Sequence, residues 1–132
     1  HTGEAGPVDE ISRVVELLEP DRIGHGVKAA YDPRAMEMIR ERGIVLEICP
    51  TSNLKLGVYP AIEEHPIDRL RRAGVAVSIN TDDPVLLGAS LVGEYALCRD
   101  AFGWGDEELR ALARTSITAS FADAGIKLPA SK

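Results

Sequence analysis

The hydrophobic and polar positions along this chain divide it into short apolar segments separated by longer amphipathic ones. Three segments, 22–26, 44–49 and 75–80, have the length of β-strands, and the second and third are mostly apolar. The first ends in glycines, the second stops before a proline, and the third runs into two aspartates. Because these residue types interrupt regular structure, the boundaries support the prediction of three strands.

Helical periodicity fills the segments between these strands. Apolar residues at positions 8, 11, 14, 15 and 18 follow Pro7 and predict a first helix. Asp32 and Pro33 predict the start of a second helix, which runs to about Arg42 and ends at Gly43. The remaining pattern predicts a long loop after the second strand, helices at 67–73, 90–102 and 107–121 with Asp106 as the cap of the last, and a frayed tail at 127–132.

Strands that alternate with helices predict βαβ units and a parallel sheet, so the expected fold class is α/β. A short polar cluster follows each predicted strand, at 24–26, 51–53 and 81–83. These clusters would lie at the carboxyl ends of parallel strands. That is where α/β folds, and (β/α)8 barrels in particular, place their chemistry.

Composition narrows the range of partners. The 132 residues are 45% hydrophobic and 27% charged, which is ordinary for one globular domain. A formal net charge of −6, with scattered basic residues, argues against a nucleic-acid partner. No apolar run has membrane-spanning length and no secretory leader is visible, so no membrane partner is expected. Cys49 and Cys98 lack CxxC spacing and have apolar neighbours, which predicts buried free thiols and a cytoplasmic location.

Five side chains at or just after strand ends are candidates for chemistry: His1, Glu4, His25, Asp82 and Asp83. The two adjacent aspartates repel each other at a partly buried strand end, and a bound cation would offset that repulsion. On neighbouring strands of a barrel, residues in these places converge on one cavity. Histidine and aspartate around an open coordination position suit a divalent transition metal such as Zn²⁺.

Each of these residues also has a simpler interpretation. His25 could be a core histidine bonded to the backbone, and the Asp82–Asp83 pair could cap the turn or helix that follows the strand. Glu4 could be a first-turn carboxylate favoured by the helix dipole. Only their joint placement at successive strand ends favours a site over three unrelated structural roles.

Other polar residues carry weaker signals. His65, between two glutamates and a proline, is predicted to be a solvated residue at a helix entry. Cys49 is predicted to be a core residue. The cluster 51–53 is predicted to be a turn, with ligand contact as the alternative.

Four motifs carry a resemblance to a known family. The sequences HTGEAGP (1–7), RIGHGV (22–27), LEICPTSN (46–53) and SINTDDP (78–84), in this order and spacing, closely resemble the carboxyl-terminal half of the adenosine deaminase family. The resemblance extends from His1 to about Ser120. It implies the second half of a zinc-dependent (β/α)8 barrel of the metal-dependent hydrolase superfamily.

The resemblance also implies residue roles. His1 and Asp82 match zinc ligands, and Glu4 matches the acid that gives a proton to purine N1. His25 matches the histidine that orients and deprotonates the attacking water, and Asp83 matches a residue that hydrogen-bonds purine N7. For Glu4 to act as an acid it must be protonated when substrate binds, so burial is expected to raise its pKa.

Several parts of the family pattern are missing from this sequence. It contains no HxH motif, which supplies two further zinc ligands in the family, and a whole barrel needs about 250 residues. We therefore expect residues 1–132 to form a single partial domain that begins inside a larger protein. The expected partners are a small purine substrate and the missing amino-terminal half of the barrel, or another chain along open sheet edges.

The implied reaction is hydrolytic deamination of adenosine to inosine and ammonia in the intact enzyme. Adenine, adenosine monophosphate derivatives and aminodeoxyfutalosine are alternative substrates. Another hydrolase of the superfamily and an inactive half-barrel are further alternatives, although Glu4 argues against ester hydrolysis, which needs no acid at a ring nitrogen. The cytidine deaminase fold is disfavoured because its H-x-E and P-C-x-x-C signature is absent.

Overall fold

Three parallel strands form the sheet in this computed structural model, which describes residues 1–123. The strands are β1 Arg22–Gly24, β2 Val45–Ile48 and β3 Val77–Ile79, and they lie side by side in the order β1-β2-β3. In the register, Ile23 lies opposite Leu46, and Leu46 lies opposite Val77. The predicted adjacent parallel strands are confirmed, and the predicted frayed tail lies outside the described residues.

The first residues of the chain continue the sheet beyond β1. Thr2 forms an isolated parallel bridge with His25. The Thr2 amide donates to the Gly24 carbonyl at 3.3 Å, and the Gly26 amide donates to the Thr2 carbonyl at 2.9 Å. His1 is thereby placed next to the carboxyl end of β1.

Seven α-helices and two 3₁₀ helices are found in residues 1–123. The α-helices are α1 Asp9–Leu18, α2 Pro33–Glu41, α3 Pro50–Lys55, α4 Ile67–Arg72, α5 Pro84–Leu87, α6 Leu91–Phe102 and α7 Asp106–Thr118. The 3₁₀ helices are Val27–Tyr31 and Ile62–Glu64. The long loop predicted after β2 is therefore wrong in part, since α3 begins directly at Pro50 and a 3₁₀ helix follows it.

Side-chain caps explain where several helices begin. Asp32 Oδ1 accepts hydrogen bonds from the amides of Arg34 and Ala35, and Ser90 Oγ accepts from the Gly93 amide. The predicted cap at Asp106 is wrong by one position. Helix α7 already includes Asp106, and the Gly105 amide that precedes it donates to Glu108.

The core lies between the sheet and the helices that pack on it. Buried aliphatic side chains come from every strand and from α1, α2 and α4, including Ile11, Ile39, Leu46, Leu70 and Ile79. Cys49 and Cys98 are buried free thiols, as predicted. Within residues 1–123, no helix combines the length and the apolar character needed to cross a membrane.

Candidate active site

A cavity of about 450 Å³ opens at the carboxyl ends of the three strands. His1, His25 and Asp82 all line it, so these three predicted residues meet at one place. Cys49 and Asn80, which directly follow the neighbouring strands, also line it, and the remaining lining residues are Gly24, Glu47, Thr81 and Leu91. A larger cavity of about 590 Å³ lies at the opposite ends of the strands, but its described lining contains no histidine and none of the predicted site residues.

The backbone turns sharply at two of these positions. His25 has φ 65° and Asp82 has φ 58°, which is the left-handed region that side-chain-bearing residues seldom occupy. The ladder of the sheet continues up to these turns, because the His25 amide donates to Glu47 and the Asn80 amide donates to Ile48. Each side chain is therefore turned towards the cavity where the strand ends. Backbone strain of this kind concentrates at functional sites.

Two glycines in the RIGHG segment make room for this arrangement. A Cβ at Gly24 would collide with the ring of His1. Gly26 has φ 67°, and a Cβ there would lie 2.7 Å from Leu46 Cδ2 in the core. The glycines on either side of His25 thus let the His1 ring lie against β1 and let the chain turn back over the core.

Glu4 occupies the next stretch of the wall. It lines a smaller cavity of about 220 Å³ that shares His1 and His25 with the first. Its Oε1 accepts a hydrogen bond of 2.6 Å from Asn53 Nδ2 and lies 3.5 Å from His25 Nδ1. The His1 and His25 rings are 5.4 Å apart between centroids. Glu4 therefore faces both histidines from one side.

Two side chains of helix α3 donate hydrogen bonds to candidate carboxylates. Ser52 Oγ donates to Asp82 Oδ2 at 2.7 Å, and Asn53 donates to Glu4. Both Ser52 and Asn53 are fully buried. The prediction of a simple turn at 51–53 is wrong: these residues form the first turns of a helix and connect two strand ends. The Ser52–Asp82 pair is separated by 30 residues in the sequence and the Asn53–Glu4 pair by 49.

The buried carboxylate of Glu94 anchors the same helix, and the sequence interpretation did not identify it. Glu94 is 1% exposed, and its Oε2 accepts from the Thr51 amide at 3.0 Å. Helix N-termini have unpaired amides that favour such an acceptor. A signal was present in the sequence, since Glu94 falls between apolar residues on the buried side of the predicted helix 90–102.

His65 is not solvated, which corrects the prediction for that residue. It is 3% exposed, its Nε2 lies 3.0 Å from Asn53 Oδ1, and its Nδ1 accepts from the Ile67 amide at 3.2 Å. Burial lowers the pKa of His65 to about 4. The imidazole is therefore neutral at physiological pH and belongs to the network around Glu4.

Asp83 does not line the cavity. It is exposed, and its Oδ1 accepts from the Leu86 amide at 3.0 Å, which caps α5. Of the five predicted site residues, this one takes the simpler structural position that the sequence also allowed. Its second carboxylate oxygen makes no hydrogen bond among those of the described residues.

Cys49 has no features of a reactive nucleophile despite its place in the cavity. Burial, and next the negative charge of Asp82, raise the pKa of its thiol to about 12. Burial likewise raises the pKa of Cys98 to about 12. Both thiols are uncharged at neutral pH, so the chemistry of the cavity belongs to its histidines and carboxylates.

The donor set is partly suited to a metal ion. His1 and Asp82 supply one imidazole and one carboxylate at the same cavity, which is the ligand chemistry of zinc hydrolases. Residues 1–123 contain no group of three or more potential ligands that could hold a metal. Two protein ligands fit zinc by type, but a stable site needs at least one more.

The fold and the cavity together define a parallel α/β protein with its polar residues at the carboxyl ends of the strands. The sequence model of the family described as adenosine deaminase matches residues 1–129, and the chain belongs to that family.

Known relatives agree with this assignment. An adenine deaminase of Rhizobium rhizogenes is 45% identical over 123 residues, which are 93% of this chain and 38% of that protein. The crystal structure of an adenine deaminase from Arthrobacter aurescens superposes with a TM-score of 0.91 at 28% identity, covering 96% of this chain and 39% of that one. An amidohydrolase from Burkholderia ambifaria with bound zinc has a TM-score of 0.84 at 28% identity, over 96% of this chain and 36% of that one.

The coverage figures also show how much of each related protein this chain matches. The chain spans somewhat more than one third of the length of the relatives that it matches. The similarity nevertheless covers nearly every described residue of the chain, including all four motifs.

Proposed function

We propose that this chain is the carboxyl-terminal half of a (β/α)8 barrel that deaminates a 6-aminopurine by hydrolysis. The convergence of His1, His25 and Asp82 on one cavity, with Glu4 on the adjoining wall, carries this proposal. Three parallel strands joined through helices, with Thr2 extending the sheet, are what half of such a barrel requires.

The proposed chemistry uses the residues of this chain in separate roles. Water adds to C6 of the purine, N1 takes a proton, and the C6 amino group leaves as ammonia. Glu4 gives the proton to N1, which makes C6 more electrophilic as the C–O bond forms. His25 accepts one proton from the water and passes it to the departing amino group, which leaves as ammonia. Glu4 recovers its proton from the C6 hydroxyl as the C6–O double bond of the 6-oxo product forms. The Nδ1 of His25 is buried and makes no hydrogen bond within the described residues.

Zinc is the proposed cofactor. His1 and Asp82 would hold the ion together with histidines from the missing half, and a bound zinc ion supplies the activation of water at neutral pH. Ser52, which donates to Asp82 Oδ2, orients that carboxylate. Asp83 Oδ2 is available for a purine ring nitrogen that carries a hydrogen, while Oδ1 caps α5.

Adenine is the substrate that we favour, with adenosine as the second candidate. The relatives reported above with 45% and 28% identity are both named adenine deaminases. Adenine and adenosine present the same C6, N1 and N7 atoms, so Glu4 and His25 would act alike on both.

The decisive experiment compares two proteins. One is the isolated 132-residue chain, and the other is the full-length protein, in which the proposed amino-terminal half precedes His1. Ammonia release from adenine and adenosine is measured while zinc is titrated in. We expect the full-length protein to deaminate adenine faster than adenosine, and the isolated chain to be inactive because it has only two zinc ligands.

Other results would change specific parts of the proposal. Activity of the isolated chain would contradict the need for a second half. Inactivity of the full-length, zinc-loaded protein on every 6-aminopurine would contradict the deaminase proposal itself. Faster turnover of adenosine than of adenine would make adenosine the favoured substrate.

A further inference from the structure

A buried line of hydrogen bonds leads from a backbone amide of α4 to the carboxylate of Glu4. The Ile67 amide donates to His65 Nδ1 at 3.2 Å, and His65 Nε2 lies 3.0 Å from Asn53 Oδ1. Asn53 Nδ2 then donates to Glu4 Oε1 at 2.6 Å. Neither the mechanism above nor the sequence motifs assign a role to His65.

The direction of every bond in this line follows from its first member. A backbone N–H can only donate, so Nδ1 of His65 must accept and carries no hydrogen. The hydrogen of the neutral ring is then on Nε2, and its partner on Asn53 must be the amide oxygen. The amide nitrogen of Asn53 consequently faces Glu4, because the two ends of the amide are exchanged only together.

Burial keeps this arrangement in one state. Asn53 is 0% exposed and His65 is 3% exposed, so neither exchanges partners with bulk water. The ring of Tyr59 packs edge-on against His65, with centroids 5.0 Å apart. The lowered pKa of His65 keeps its ring neutral, and a second ring hydrogen would repel the Ile67 N–H.

We propose that His65 and Asn53 are positioning residues that determine which oxygen of Glu4 carries the acidic hydrogen. This inference rests on the proposed role of Glu4 as the acid. Asn53 Nδ2 can donate but cannot accept, so Glu4 Oε1 cannot direct a hydrogen towards it. The carbonyl oxygen of a carboxylic acid accepts more strongly than its hydroxyl oxygen, so this bond makes Oε1 the carbonyl oxygen of protonated Glu4. The hydrogen is then on Oε2, and Oε2 is the oxygen that gives the proton to N1.

The test separates this directing role from simple structural support, using variants of the full-length, zinc-loaded protein. His65→Phe keeps a ring against Tyr59 but removes both hydrogen bonds. His65→Gln is the conservative variant, because its amide nitrogen can replace Nε2–H as the donor to Asn53. Asn53→Asp still accepts from His65 but places an oxygen against Glu4 in place of the N–H. Tyr59→Phe is the matched control, since it removes a hydroxyl from the ring that packs against His65 and leaves every hydrogen bond of the line intact.

For each variant, kcat and KM for adenine, bound zinc and the melting temperature are measured. We expect His65→Phe and Asn53→Asp to lower kcat by about 100-fold, which is the range of general acid catalysis, with KM changed by less than about threefold and zinc retained. His65→Gln is expected to stay within about fivefold of the parent kcat, and Tyr59→Phe within about twofold.

Each result has one meaning. A parent-like kcat in Asn53→Asp would overturn the inference even if His65→Phe did not fold. An equal loss of kcat in His65→Gln and His65→Phe would overturn it too, since the donor would then have no effect. If the parent protein deaminated no 6-aminopurine, the proposed function would fail before any variant was compared.

Discussion

The two walls of the cavity are built in opposite ways. The Glu4 wall is supported by Asn53 and His65, which are buried, uncharged and joined by hydrogen bonds of defined direction. At the other wall, Asp82 is exposed and its carboxylate has one described hydrogen bond. Asp83, which follows it and lies outside the cavity lining, is also exposed and likewise has one described hydrogen bond. The acid of the proposed reaction thus has its hydrogen-bonding partners within the described part of this chain, whereas the proposed metal site at Asp82 has only His1 as a second ligand there.

Helix α3 joins these two walls through neighbouring residues. Ser52 holds Asp82, and Asn53 holds Glu4, so a small rotation of this helix would move both carboxylates. Glu94 fixes the start of the helix through the Thr51 amide. The contrast between the walls can therefore be tested one residue at a time.

The largest effect is expected at the exposed wall. In the full-length protein, Asp82→Ala removes a proposed zinc ligand and should abolish zinc retention. Activity should fall by about 1,000-fold or more, because metal activation contributes several kcal/mol to the transition state. Zinc content after dialysis and ammonia release from adenine are the measurements. Asp100→Ala, at an exposed aspartate that pairs with Arg99, is the control and should leave both unchanged. Full zinc retention in Asp82→Ala would show that the metal binds elsewhere.

The next effect concerns the buried wall and is a change of stability with pH. The pKa of His65 falls from 6.5 to about 4 on folding, so the unfolded chain binds more protons than the folded chain between these values. The His65 contribution is complete above pH 6.5 and is lost as the pH falls towards 4. The total loss is on the order of 3 kcal/mol.

Urea unfolding of the full-length protein at pH 7, 6, 5 and 4 measures this loss. Carboxylates and the other histidines also titrate in this range, so the useful quantity is the difference between the parent and His65→Phe. We expect that difference to shrink as the pH falls, because the variant lacks the group that must be protonated. A difference independent of pH would mean that His65 is not buried in its neutral form.

A smaller effect is expected at Asp83. Asp83→Ala should retain zinc but lower kcat/KM for adenine by about 10- to 100-fold, the value of a hydrogen bond to a charged group. It should also destabilise the protein by about 1 kcal/mol through loss of the α5 cap. Asp32→Ala is a closely matched control, because Asp32 also precedes a proline and caps α2. It should lose the same stability and no activity. Equal activity losses in the two variants would show that Asp83 acts only as the cap of α5.

The sequence was sufficient for the parts of the fold that depend on local pattern. Short-range periodicity, and the glycines and prolines that interrupt it, predict the three strands and their parallel order. The same signals place His1, His25 and Asp82 at strand ends. The residue roles carried over from the family remain predictions. Helix α3 was missed because Pro50 and three small polar residues favour turns locally. Its contacts with Glu4, Asp82 and Glu94 overcome that preference.

His65 shows most clearly why the remaining features could not be predicted. Its immediate neighbours are two glutamates and a proline, and that composition is typical of a solvated segment. The burial of His65 depends on Asn53, which lies 12 residues earlier in the chain, and on the packing of Tyr59. A hydrogen bond between two buried side chains leaves no periodic signal, so it is visible only once the fold brings them together.

The left-handed backbone at His25 and Asp82 sets a limit on how heat-stable this protein can become while it keeps its site. Such conformations cost on the order of 1–3 kcal/mol each in a residue with a side chain, and glycine adopts them with much less strain. Selection for thermal resistance alone would therefore favour glycine at both positions. The same exchange would delete the two side chains that face the cavity. Stability and activity are thus opposed at these two positions, and attempts to stabilise the protein should change residues elsewhere in the fold.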